Sequence, residues 1–354
     1  SGFGNIGVIE LYRKRETNKL FYLRGFMEFL KLVITFLFYF IFKDYRSLFF
    51  AFISVSFIQL ILTYIIAPNK SKIEINFTLL KELFNFSIWL QLKNLTKVIS
   101  TNLDSIIIAS LLSPVSLGIY NRSMTISKAP EQISSNINDM YSYPWISNNK
   151  DDSTFLKSYF ESFMIILIFL FSNLALCVYI FGREIIELVL GESWTSIYEP
   201  LRILIFSTLV SSVLNSLFPF IRAKGYPKIE FKLFLIRTFF LVALCYPLIL
   251  NFGLLGAAFS NLISLLLVFP FFIYEAKKII GSFIKILYPI IAIFFITSLP
   301  IILFYNFQYT NIISLILDAF LLLLLYDIII VFIFKIFYPN INLVIYINSI
   351  FKRK

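Results

Sequence analysis

Histidine is missing altogether from these 354 residues. Its absence removes the side chain most often used as a general base near neutral pH and as a transition-metal ligand. Cysteine occurs twice, at Cys177 and Cys245. The pair has no metal-like spacing, and each falls inside an apolar run where a thiol packs as a small hydrophobe. Charge is scarce and lopsided: 14% of residues are charged, with 20 acidic against 31 basic. There is no Gly-rich phosphate loop, no catalytic triad and no His/Cys metal set. Neither an enzyme nor a cofactor is expected.

What fills the space instead is apolar: 59% of the chain is hydrophobic, including 43 Phe and 20 Tyr. A water-soluble chain of this composition lacks the polar residues to cover its surface. Ten apolar segments are each about as long as the roughly 20 residues that cross a hydrocarbon layer. They lie near 25–42, 47–66, 84–112, 114–140, 158–181, 197–221, 230–250, 253–275, 285–305 and 311–337. Alternate links carry the cations. One set holds twenty, among them Arg13 to Arg24, Lys70 and Lys72, Lys150 and Lys157, Arg222 to Lys232, Lys277 and Lys278, and Lys352 to Lys354; the other holds Lys43, Arg46 and Arg183. Such a bias puts the basic links, both chain ends and so the C-terminus of a multi-pass membrane protein in the cytoplasm. The net charge of +11 is spread over separate links and forms no continuous patch. It speaks for membrane lipids as partners, not nucleic acid. Residues Gly2 to Leu11 read as the tail of a further span, so the expectation is a fragment lacking its N-terminal part.

Two segments are too polar to face lipid. Intramembrane charge is costly unless it faces protein or water. At about 100° per residue, Lys93, Lys97, Ser100, Thr101 and Asp104 share one face of the third segment. Asn121, Arg122, Thr125, Lys128, Gln132, Ser135, Asn136 and Asp139 share one face of the fourth. Joined by the short turn Ser113 to Ser116, they describe a helical hairpin walling a wet cavity. Equal distances from that turn place Asp104 level with Arg122, and Lys97 level with Lys128. Two readings stand for this hairpin. In one, Asp104 and Arg122 form an ion pair that merely lets it insert. In the other, the cations Lys93, Lys97, Arg122 and Lys128 outnumber Asp104 because an anionic ligand completes them. The charge count favours the second, and a pyrophosphate suits such a set. Arg202 and Arg237 read as snorkelling or locally paired residues. Pro130 and Pro144 should bend or end the second polar helix. Asp318 and Asp327 read as structural or interfacial, and Trp194 as an interface anchor.

The order of features resembles a known family. The stretch from Phe84 to Pro130 is similar to the seventh and eighth helices of polysaccharide flippases, through Phe86 and Trp89, Asp104 before an apolar run, Leu117-Gly118-Ile119-Tyr120, and Pro130. Further similarity lies in LVLGESWTSIYEPLRIL (188–204), IRAKGYPK (221–228) and NFGLLGAAFSNLIS (251–264). It covers most of residues 1–280, fades after that, and is nearest the Wzx-like colanic-acid or lipopolysaccharide exporter branch of the multidrug/oligosaccharidyl-lipid/polysaccharide exporter superfamily. The resemblance implies an all-α membrane protein with ten of an expected fourteen helices, in two pseudo-symmetric lobes plus two additional C-terminal helices. By that count residues 1–66 end the N-terminal lobe, 67–281 form the C-terminal lobe and 282–354 carry the extra pair. It implies a flippase of the bacterial cytoplasmic (inner) membrane for undecaprenyl-pyrophosphate-linked oligosaccharide in capsule, exopolysaccharide or O-antigen assembly. A polysaccharide polymerase would be a partner, and Asp104 a coupling or ion-pair residue. The alternative is a cation-coupled multidrug exporter of the same superfamily, against which the net basic hairpin argues.

Overall fold

The structure is a computed structural model that describes residues 17–66, 77–281, 324 and 326–328. Every regular element among the described residues is helical. The presumed N-terminal tail span and the segments 285–305 and 311–337, apart from residues 324 and 326–328, lie outside them. Two compact units divide near Lys81.

The first unit holds α1 (Thr17–Phe42) and α2 (Arg46–Ile66), packed as a hairpin. The Asp44 carboxylate accepts the backbone N–H of Arg46 at 2.8 Å and so caps α2. Phe42 and Phe50 stack at 5.0 Å beside the turn. Most of the remaining Phe, Leu and Ile side chains on both helices stay exposed, as a lipid-bathed surface requires.

The second unit contains α3 (Phe77–Leu111), α4 (Pro114–Ile137), α5 (Tyr143–Asn148), α6 (Ser153–Leu190), α7 (Tyr198–Asn215), α8 (Phe218–Ala223) and α9 (Pro227–Ile280). Helix starts follow their capping chemistry. Ser113 accepts from the backbone N–H of Ser116 with Pro114 at the first helical position. Asp152 accepts from Thr154 and Phe155. The expected turn after the third segment therefore stands at Ser113. Pro130 leaves α4 unbroken; a π-helical turn over Asn138–Ser142 follows, just ahead of Pro144, which starts α5. A wide turn there fits a proline nitrogen that has no hydrogen to donate.

Helix α7 is the hub: α4, α6 and α9 all pack on it. Its contact faces carry Ser207, Thr208, Ser211 and Ser212, small residues that let neighbouring backbones come close. Thr208 and Ser212 donate their hydroxyls to carbonyls one turn back, so no polar atom of theirs needs water.

The 54 residues of α9 are two antiparallel arms, 227–252 and 254–280. Gly253 sits at φ 57°, ψ −131°, outside helical space. A Cβ on Gly256 would collide with the carbonyl of Leu248, so the backbones touch there and only glycine fits. Arg237 on the first arm donates to the Asn261 side chain on the second at 3.0 Å. In one straight helix those two residues would be about 36 Å apart. Five stretches among the described residues are long and apolar enough to cross a membrane, this folded one included. Helices α3 and α4 are not among them, because their polar faces hold the cavity described next.

Candidate functional site

A cavity of about 390 Å³ opens between α3, α4, the π-turn after α4, α7, α8 and the first arm of α9. Lys93, Lys97, Ser100 and Thr101 reach it from α3; Lys128, Gln132, Ser135 and Asn136 reach it from α4. Parts of the two faces assigned from helical periodicity line it together, while Asp104, Asn121, Arg122 and Thr125 do not. Five cations (Lys93, Lys97, Lys128, Arg222 and Arg237) line it against three carboxylates (Glu131, Asp139 and Glu230).

Those carboxylates are unevenly shared. Glu230, with no exposed surface, accepts from two of the three Arg222 nitrogens at 2.8 and 2.9 Å and from the Lys93 ammonium at 3.0 Å. Asp139 adds a 3.1 Å contact to Arg222. Glu131 accepts instead from the Asn215 amide at 2.8 Å. Among the described residues Lys97 and Lys128 therefore have no carboxylate within ion-pair distance. Arg237 Nε, Ser100 Oγ and Asn138 Oδ1 are buried with no hydrogen-bond partner among the described residues. Unpaired buried polar atoms around a cation-rich void are what a polyanion or ordered water completes.

Asp104 takes another arrangement. It is buried beside Tyr120, whose hydroxyl donates to it at 2.6 Å, and the Asn261 amide donates at 3.0 Å. Its second oxygen has no partner among the described residues. The expected pairing with Arg122 does not form. Equal depth is right, since Ser105 donates to Asn121 at 3.0 Å across the hairpin. Azimuth decides otherwise: Arg122 is two residues and about 200° around α4 from Tyr120, hence on the opposite face. There its guanidinium lies 5.5 Å over the Trp194 ring, in a separate recess shared with Asn121, Thr125 and Ser193. Trp194 thus meets a cation.

Of the residues proposed from sequence, the structure gathers Lys93, Lys97 and Lys128 and leaves Asp104 and Arg122 outside the cavity. Sequence reasoning missed Glu230 and did not assign Arg222 or Arg237 to the cavity that they line. The available signal was the one acidic residue of the 227–252 arm, eight positions after Arg222 across a Gly-Tyr-Pro turn. Arg202, expected to snorkel or to be locally paired, holds Glu199 at 2.6 Å. Asp327 accepts from Asn173 at 2.8 Å, while Asp318 lies outside the described residues.

Comparison with known proteins gives two relatives. The chain is 25% identical over 183 residues to the lipopolysaccharide biosynthesis protein WzxC of Escherichia coli (strain K12), covering 52% of this chain and 36% of that protein. It is 24% identical over 228 residues to an uncharacterized membrane protein in the cps region of Klebsiella pneumoniae, covering 63% of this chain and 46% of the other. The chain thus spans less than half the length of these relatives. No solved structure matches it. A family model described as polysaccharide biosynthesis protein matches residues 1–199, more than half of the chain, so this multi-pass helical protein belongs to the polysaccharide biosynthesis protein family.

Proposed function

We propose that the protein takes part in moving undecaprenyl-pyrophosphate-linked oligosaccharide across the cytoplasmic membrane, and is not itself an enzyme. The observation that carries this reading is the pair Lys97 and Lys128, facing one cavity with no carboxylate within ion-pair distance among the described residues. A pyrophosphate offers several acceptor oxygens and enough negative charge to satisfy both ammonium groups and the open Arg237 Nε. The polyprenyl tail would stay in the bilayer. The relatives fit: one is named for lipopolysaccharide biosynthesis, the other for its place in a cps region. A cationic drug would meet repulsion here, so the multidrug reading is disfavoured.

In the same reading the chain carries ten spans of a fourteen-helix architecture, divided at 66 and 281, with its C-terminus in the cytoplasm. Asp104 is the coupling residue, its open oxygen available to a proton or sodium ion while Tyr120 and Asn261 hold the other. Arg122 is a secondary contact near the opposite end of the hairpin. Alternation would rock one lobe against the other, as in transporters built from repeats.

Binding of a pyrophosphate-linked polyprenyl saccharide to the detergent-solubilised protein tests the reading. Lys97→Gln and Lys128→Gln should each weaken it by about 10- to 100-fold, the worth of a charge-assisted hydrogen bond. Equal binding of an uncharged polyprenol-linked saccharide, or wild-type affinity in both variants, would overturn it.

A further inference from the structure

A second basic recess, of about 640 Å³, lies where the two arms of α9 begin and end, beside the start of α3. Lys228, Lys232 and Lys278 line it with Trp89, and Glu275 is the one carboxylate in the lining. The Lys228 ammonium sits 5.1 Å over the Trp89 ring, which is braced by Phe231 at 5.7 Å. No carboxylate among the described residues comes within ion-pair distance of any of the three lysines.

Each arm of α9 continues from this basic end as an exposed apolar stripe. On the first arm, Lys228 and Lys232 are followed at helical spacing by Leu235, Phe239, Val242 and Tyr246, all exposed. On the second, Lys278 is preceded at the same spacing by Tyr274, Phe271 and Leu267, also exposed. Successive steps of three and four residues keep each series on one helix face. A cationic socket opening onto two apolar tracks has the charge order of an anionic lipid: phosphate at one end, acyl chains leading away. An acidic peptide or a nucleic acid would leave the tracks uncovered.

We infer that this recess is a binding site for an anionic phospholipid of the surrounding bilayer, its phosphate held by Lys228, Lys232 and Lys278 and its acyl chains lying on the two stripes of α9. It is separate from the cavity between α3 and α4, and does not depend on what that cavity carries. Trp89 fixes the Lys228 ammonium at headgroup level, where an indole ring is at home. Lipid basicity of this kind is worth about fivefold in affinity per lysine, or about a hundredfold for three.

The test is native mass spectrometry of the full chain in neutral detergent with phosphatidylglycerol or phosphatidylcholine. Wild-type protein should retain phosphatidylglycerol selectively. The K228Q/K232Q/K278Q variant should lose that selectivity, whereas K150Q/K157Q, which removes two exposed lysines elsewhere, should keep it. Equal retention of both lipids by the wild type, or unchanged selectivity in the triple variant, overturns the inference. Displacement of the lipid by excess inorganic phosphate would also overturn it, because a free anion would then suffice without the stripes. If the triple variant loses its native unfolding transition, Lys278→Gln alone and the wild-type lipid comparison decide.

Discussion

At the scale of single residues, the buried Glu230 is the most consequential side chain. It holds Arg222 by two hydrogen bonds and Lys93 by a third contact, so α3, α8 and the start of α9 meet on one carboxylate. Replacing it with Gln would leave two partly buried cations, Lys93 and Arg222, short of this counter-ion. Removing one partner of such a pair costs about 3–5 kcal/mol. Glu230→Gln should accordingly lower thermal stability in detergent well beyond Glu187→Gln, an exposed carboxylate on α6; equal transition temperatures would show that the cluster is not structural. Tyr120→Phe is a gentler case. It removes one donor to Asp104 while the Asn261 amide remains, so the expected loss is about 1–3 kcal/mol. The same denaturation measurement reads it. Depth along a helix could be read from the distance to the turn at Ser113, which is why the cavity lysines were legible. Azimuth could not be read for Arg122, because two residues of separation reverse the face and Tyr120 is an inconspicuous partner for a carboxylate. Glu230 was hidden for another reason: its role exists only once α3, α8 and α9 have met.

At the scale of elements, the kink in α9 separates what hydropathy alone leaves ambiguous. A continuous apolar stretch of 54 residues is either one very long helix or two spans. The pattern of segments already divided it near 251–252, since one helix of that length would far exceed a bilayer. What no pattern supplied was the second requirement, close approach of the arms at Gly256. Gly256→Ala should therefore be worse than Gly253→Ala. The first drives a methyl into the Leu248 carbonyl, while the second meets open space and loses only its backbone freedom, about 1–3 kcal/mol. Comparable denaturation midpoints for the two would contradict the close contact. The polar helices α3 and α4 show the opposite balance: their faces were plain from periodicity, while the π-turn after α4 was not, because a proline marks where a helix must adjust without saying how.

At the scale of the whole molecule, the turns of the second unit sort into two ends. One end holds Lys150, Lys224, Lys228 and Lys278; the other holds Ser113, the 191–197 segment and Gly253. If the basic end faces the cytoplasm, a Cys at position 193 in a background lacking Cys177 and Cys245 should react with an impermeant maleimide in intact cells. A Cys at position 150 should react only after permeabilisation. The reverse pattern would invert the orientation. The family was readable from diffuse motifs spread over two hundred residues, because helix order and link chemistry survive when individual contacts do not. The contact between Arg237 and Asn261 has a bearing on biogenesis. A guanidinium entering hydrocarbon alone is strongly disfavoured, yet its amide partner lies across the turn at Gly253. The least costly route out of the translocation machinery is therefore for the two arms to leave together, so that synthesis of the second arm sets when the first can be released into lipid.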